Sequence, residues 1–83
     1  MDEIKLHTDD EDQVLKIWYE PRTSHSIYDI CDMDGSVVKT GQMESDGARI
    51  DISDLQRRKY YLLILDGEEV VQRSLSFDGK EGN

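Results

Sequence analysis

The fold is decided by one stretch of the chain, residues 60–77, which reads YYLLILDGEEVVQRSLSF. Its first six residues are apolar, and an apolar run of that length is typical of a strand with both faces covered in the middle of a sheet. Asp66 and Gly67 follow as a two-residue hairpin turn, because glycine readily adopts the positive φ that such turns require. Residues 68–77 then return as the next strand. The stretch therefore predicts a hairpin whose first strand lies inside a sheet.

Alternation of apolar and polar residues continues through the rest of the chain and predicts five more strands. Turn residues such as Asp34 and Gly35 recur at intervals of about 8–12 residues, which is typical of a two-sheet sandwich. Between the fifth and sixth strands we predict a loop or a single helical turn, in which Leu55 fills the core. The five strands are predicted at residues 4–8, 13–20, 26–32, 36–43 and 48–52.

Composition and charge exclude several classes of protein. The chain has 10 Lys and Arg against 19 Asp and Glu, and its net charge of −9 disfavours nucleic acid and anionic membrane surfaces as partners. The sequence has no run of eighteen apolar residues, so we predict no membrane span. Cys31 is the single cysteine, which excludes an internal disulfide. A domain this small is expected to have a free energy of unfolding of about 3–5 kcal/mol.

Catalytic motifs are missing from the sequence. It contains no Gly-x-Ser-x-Gly nucleophile elbow and no glycine-rich phosphate loop. Cys31 could act as a nucleophile only beside a histidine, and the sequence places neither His7 nor His25 next to it. We therefore predict a protein that is not an enzyme and that uses no cofactor.

The acidic run Asp9-Asp10-Glu11-Asp12 is the one candidate for metal binding. Calcium takes several oxygen ligands, and Asp9, Asp10 and Asp12 could supply them. The alternative is a solvated loop between the first two strands. We predict the loop and keep the three aspartates as weak candidates for calcium.

Aromatic and apolar side chains give two candidate surfaces for a protein partner. Trp18 and Tyr19 are adjacent, so they point to opposite faces of a strand, and one of them belongs to the core. We expect the other, Trp18, to be partly exposed, either as an interface anchor or as cover for an apolar patch. Tyr61, Leu63 and Leu65 form a second patch if the outer face of their sheet is solvated.

The basic run Arg57-Arg58-Lys59 is the third candidate surface. It lies in the predicted loop before the sixth strand. It could contact an acidic partner, including an acidic face of a neighbouring copy, or it could be a solvated loop tip. Three basic residues in a chain of net charge −9 do not predict a nucleic-acid site.

Two segments resemble a known group of bacterial proteins. The segments are IYDICDMDGSVVKTGQ at residues 27–42 and ARIDISDLQRRKYYLLILDGEEVVQRSLSF at residues 48–77. They are similar to the C-terminal sorting domains of the type IX secretion system in Bacteroidetes, and to small secreted Bacteroidetes proteins of unknown function. Both groups have a strand that leads through an Asp-x-x-Gly turn to a Val-rich strand, and then an Ile-Asp-Ile-Ser-x-Leu segment, here residues 50–55. The resemblance implies an immunoglobulin-like sandwich.

These observations give one set of predictions. The fold is an all-β, immunoglobulin-like antiparallel sandwich of about seven short strands, with one domain at residues 1–77 and a flexible polar tail at residues 78–83. The function is that of a noncatalytic accessory or protein-interaction domain of a secreted or periplasmic bacterial protein. The alternatives are a sorting-domain-like module that secretion machinery recognises and a weak calcium-binding domain. The protein is a monomer or a weak homo-oligomer, and it is cytoplasmic instead if Met1 is native.

Overall fold

Seven strands form two antiparallel sheets, as the computed structural model shows. It describes residues 4–56 and 58–77, so the predicted tail at residues 78–83 lies outside the described residues. One sheet has the strand order β1-β2-β5, and the other has the order β4-β3-β6-β7. The prediction of an all-β sandwich of seven strands is confirmed. The strands are β1 (Lys5–Asp9), β2 (Val14–Trp18), β3 (Ser26–Cys31), β4 (Val37–Gln42), β5 (Gly47–Asp51), β6 (Lys59–Asp66) and β7 (Glu69–Ser76).

The strand order follows from short hairpins and three crossings between the sheets. β1–β2, β3–β4 and β6–β7 are antiparallel neighbours in both sequence and space. The chain passes from one sheet to the other after β2, after β4 and after β5. As predicted from its apolar run, β6 is an interior strand, with β3 on one side and β7 on the other.

The core lies between the sheets and takes alternate residues from the strands. The prediction that Leu55 fills the core is confirmed, since its half-buried side chain packs against the buried cluster. The rings of Tyr60 and Phe77 meet at 5.5 Å between centroids. The buried cluster consists of Leu15, Ile17, Tyr19, Ile30, Ile50, Ile52, Tyr60, Leu62, Ile64, Val71, Leu75 and Phe77.

The β6–β7 turn differs from the predicted one by a single position. Asp66 pairs with Glu69, so the two loop residues are Gly67 and Glu68. Asp66 is the last residue of β6, and only 1% of its surface is exposed. The turn prediction was therefore wrong about Asp66, because its carboxylate is bound by the segment between β2 and β3 and does not face solvent.

Within residues 4–56 and 58–77, the structure has no helix with the length and apolar character that a membrane span requires.

Candidate functional site

The outer side of the four-stranded sheet carries the side chains of β6 that alternate with its core residues. Tyr61, Leu63 and Leu65 are half-buried there. Leu65 lies directly between Ile27 of β3 and Val70 of β7 in the strand register. Ile27 is 36% exposed and Val70 is 61% exposed, so these three side chains form an apolar row that reaches solvent.

A second apolar row crosses the same sheet at Tyr61, four residues before Leu65 in β6. Tyr61 pairs with Cys31 on one side and with Ser74 on the other. Cys31 in turn pairs with Val37 of β4, which is exposed. We call the combined surface the apolar face, and it consists of Ile27, Cys31, Val37, Tyr61, Leu63, Leu65 and Val70.

The apolar face is poor in charge compared with the rest of the chain. Charged residues make up 35% of the sequence. Among the outward-pointing positions of the four strands, only Asp29 and Lys59 are charged. Depletion of charge is what distinguishes the centre of a protein interface from ordinary surface. The outward-pointing positions are Ile27, Asp29, Cys31, Val37, Thr40, Gln42, Lys59, Tyr61, Leu63, Leu65, Val70, Gln72, Ser74 and Ser76.

Cys31 is a buried thiol within this face. Burial raises the pKa of the Cys31 thiol, and the nearby carboxylates of Asp29 and Asp32 raise it further. The nucleophilic form of cysteine is the thiolate, which this environment disfavours. The geometry therefore gives Cys31 a packing role and does not activate it.

The Cys31 thiol is expected to react with iodoacetamide at least about tenfold more slowly in the folded protein than in the unfolded chain, because it is buried and its thiolate is disfavoured. Mass spectrometry of samples quenched over time, with and without denaturant, measures the two rates. Similar rates in both samples would contradict the buried position of the thiol.

Trp18 lies on the outer side of the other sheet. As predicted, it is the exposed member of its pair, with 47% of its surface accessible, and Tyr19 belongs to the core. A shallow groove of about 400 Å³ runs beside it, lined by Lys16 and Arg49 together with the acidic residues Glu44 and Asp46 and others. Charges of both signs at such short spacing are typical of solvated surface, so this groove is the weaker candidate for partner binding.

The basic run before β6 is only partly described. Arg57 lies outside the described residues. Arg58 is exposed, and its Nη1 donates a hydrogen bond of 2.8 Å to Oε1 of Gln56. Lys59 is the first residue of β6 and is also exposed. It lies two residues before Tyr61 on the same side of the strand, so it places one positive charge at the margin of the apolar face.

The acidic run at the β1–β2 connection forms a turn. Oδ1 of Asp9 accepts hydrogen bonds from the backbone N–H groups of Glu11 and Asp12, at 3.0 and 3.2 Å. The bond from Asp12 is the largest cause that lowers the pKa of Asp9. Nε2 of Gln13 also donates to the carbonyl oxygen of Asp10 at 2.8 Å. Within residues 4–56 and 58–77, no three His, Cys, Asp or Glu side chains are grouped so that they could hold a metal ion.

Asp66 is the polar residue whose role the sequence did not reveal. Its Oδ2 accepts hydrogen bonds from the hydroxyl of Tyr19 at 2.7 Å and from the backbone N–H of Arg22 at 2.8 Å. Its Oδ1 accepts from the backbone N–H of Thr23 at 3.0 Å and from the hydroxyl of Thr23 at 2.8 Å. Burial raises the pKa of the carboxyl group, but these hydrogen bonds outweigh burial and lower it to about 2. Asp66 is thus ionised, and it ties the β2–β3 segment to the end of β6.

No family model matches this chain, and no curated protein matches it. The strands and their pairing define the class, a small all-β sandwich of two antiparallel sheets, and the surfaces of the sandwich supply the argument about function. The similarity to Bacteroidetes proteins stays a prediction.

Proposed function

We propose that this chain is a noncatalytic protein-interaction domain that binds another protein through the apolar face. The observation that supports the proposal is the placement of Ile27, Leu63, Leu65 and Val70 side by side on a solvent-facing sheet surface with two charged positions. Residues 27–42 and 48–77 resemble secreted Bacteroidetes proteins and sorting domains, and this resemblance supports a secreted or periplasmic location for the domain.

The size of the apolar face bears on the kind of complex. Strands lie about 4.8 Å apart and rise about 3.3 Å per residue, so each outward side chain covers about 32 Å². The seven residues of the apolar face then cover on the order of 200 Å², which is less than the roughly 300–600 Å² of the largest patches that ordinary monomers expose. A stable complex buries about 800 Å² on each partner. A partner that covers only this face would therefore form a transient complex.

A photo-crosslinking residue at position 61 tests the proposal. Replacing Tyr61 by benzoylphenylalanine keeps an aromatic ring at that place, and we expect it to give a discrete covalent adduct with another protein in the source cells. Leu63→Ser in the same chain is expected to lower the yield of that adduct several-fold, because it removes apolar contact area next to the probe.

The matched control carries the same probe at position 18. Trp18 is also an aromatic residue on an outer sheet face, and it is more exposed than Tyr61. A partner-specific adduct at position 61 but not at position 18 supports the apolar face. Adducts at position 18 alone would move the site to the Trp18 groove, and equal non-specific labelling at both positions would refute the proposal.

A further inference from the structure

β7 is the longest edge strand among the described residues. It has eight residues and forms one side of the four-stranded sheet, where it pairs with β6. The other edges are shorter: β1 and β5 have five residues each, and β4 has six and a register shift opposite Cys31. Proteins normally guard an edge with proline, lysine, a bulge or a covering loop, because its unpaired backbone groups can pair with another strand. The sequence of β7 contains neither proline nor lysine, and its pairing with β6 is regular throughout.

The residues with outward backbone groups can be assigned from the hydrogen bonds. The N–H of Phe77 donates to the carbonyl oxygen of Arg58 at 3.0 Å, on the β6 side. Successive residues of a strand point their backbone groups to opposite sides, so the odd-numbered residues of β7 face β6. Val70, Gln72 and Ser74 therefore direct their N–H and C=O groups away from the sheet. Their side chains are uncharged. Nη1 of the exposed Arg73 side chain donates a hydrogen bond of 2.8 Å to the carbonyl oxygen of Gln72, and this bond has to open before a second strand can pair there.

Charge complementarity indicates what fits there. β7 carries one acidic residue, Glu69 at its first position, and one basic residue, Arg73 at its fifth position, and both are exposed. If two copies of β7 pair antiparallel about Val71, Glu69 of each copy lies directly opposite Arg73 of the other. Opposite charges at facing positions of two strands attract each other, whereas like charges repel. Glu69 also contacts Arg22 of its own chain at 3.4 Å, and this exposed ion pair leaves the carboxylate open to a second donor.

We propose that two copies of this chain associate through β7, antiparallel and with Val71 on the two-fold axis. In this register the outward backbone groups of Val70 in one copy meet those of Gln72 in the other. The two four-stranded sheets become one continuous eight-stranded sheet, and the Val70 side chains bring the two apolar faces together. The occupant of the edge is a second copy, because the same strand supplies both the acid and the base that face each other.

Sedimentation velocity over a range of concentrations tests this pairing. Salt of about 0.15 M shortens the Debye length to about 8 Å, which screens much of the repulsion between two chains of net charge −9. The mass is expected to rise from the 9.6 kDa of the monomer towards twice that value as the concentration approaches about 1 mM. A mass that stays at the monomer value over the whole range would refute the proposal.

Two substitutions at Gln72 separate the backbone from the side chain. Gln72→Pro removes an N–H that points away from β6, so the β6–β7 ladder stays intact. Gln72→Ala removes the same side chain and keeps the N–H. We expect Gln72→Pro to raise the dissociation constant at least about tenfold relative to Gln72→Ala, since each dimer loses two hydrogen bonds. Equal dissociation constants for two folded variants would refute the pairing.

Exchanging the charges of Glu69 and Arg73 tests the register of the β7–β7 pairing and needs no proline substitution. Glu69→Arg and Arg73→Glu each place like charges opposite each other in the dimer, and each is expected to weaken association. The double variant restores opposite charges and is expected to recover most of the association. Failure of the double variant to recover would refute the register with Val71 on the axis.

These variants leave Tyr61 and Leu63 unchanged. The crosslinking experiment on the apolar face can therefore succeed or fail independently of self-association through β7.

Discussion

Replacing Asp66 by asparagine is expected to lower the free energy of unfolding by about 2–3 kcal/mol near neutral pH. Four donors from Tyr19, Arg22 and Thr23 converge on the buried carboxylate. Hydrogen bonds to a charged group contribute more than neutral ones, and a buried donor without an acceptor is costly. Since the whole domain is expected to have only about 3–5 kcal/mol of stability, the substitution would remove most of it.

Asparagine cannot replace the carboxylate in either orientation of its amide. Each oxygen of Asp66 accepts one backbone N–H, from Arg22 at Oδ2 and from Thr23 at Oδ1. An amide has one oxygen and one NH₂ group, so in both orientations the NH₂ group faces a backbone N–H and leaves it without an acceptor. Chemical denaturation of the wild-type and Asp66→Asn proteins, followed by tryptophan fluorescence from Trp18, measures the difference.

The effect of Asp66→Asn can also be measured through the pH dependence of the free energy of unfolding. The pKa of Asp66 is lowered from 3.8 to about 2, so between these values the unfolded chain binds more protons than the folded one. The stabilisation due to the ionised carboxylate is complete above the pKa of the unfolded state, and it is lost as the pH falls from about 5 towards 2. The difference in stability between the wild-type protein and Asp66→Asn is therefore expected to shrink over that interval.

Asp51→Asn is the matched control for this prediction. Asp51 also accepts a backbone N–H, from Ser53 at 3.0 Å, but its side chain is exposed at the end of β5. The same chemical change should have a much smaller effect there, because water can satisfy the groups that the carboxylate leaves. If both substitutions lowered the free energy of unfolding equally, neither the burial of Asp66 nor its four hydrogen-bond donors would determine the effect.

The role of Asp66 shows where local sequence patterns stop being informative. An aspartate and a glycine after an apolar run predict a turn, and the turn is indeed there, displaced by one residue. The donors that hold the Asp66 carboxylate come from residues 43 to 47 positions earlier in the chain. No spacing rule links positions that far apart, so the buried carboxylate emerges only when β2 and β6 are placed in their separate sheets.

The apolar face, like the turn at Asp66, was only partly predictable from the sequence. Alternation along the sixth strand separates Tyr61 and Leu63 from Leu62 and Ile64, and the structure places the two pairs on opposite sides of the sheet. The neighbours of this patch, by contrast, depend on strand order. Ile27 becomes part of the surface because β3 pairs with β6 in a register that only the folded chain determines.

Gly47→Ala is expected to lower the free energy of unfolding by about 3 kcal/mol or more and to leave much of the protein unfolded. Gly47 begins β5 and pairs with Trp18 of β2. A Cβ atom at this position would collide with the backbone carbonyl oxygen of Ile17, so the two strands would have to move apart. The backbone φ of +142° is in addition one that residues with side chains rarely adopt.

Gly35→Ala separates the two causes of that effect. Gly35 has a φ of +91°, but a Cβ atom there would meet nothing within 4 Å, so alanine adds backbone strain without a collision. Backbone strain of this kind costs about 1–3 kcal/mol, and the Gly35 variant is expected to fold with a lowered melting temperature. Thermal unfolding of both variants by circular dichroism compares them directly. The collision at Gly47 involves the backbone of β2 and not a movable side chain. The loss of stability in Gly47→Ala should therefore exceed the loss in Gly35→Ala. An equally small loss of stability in both variants would mean that β2 and β5 are not held this closely.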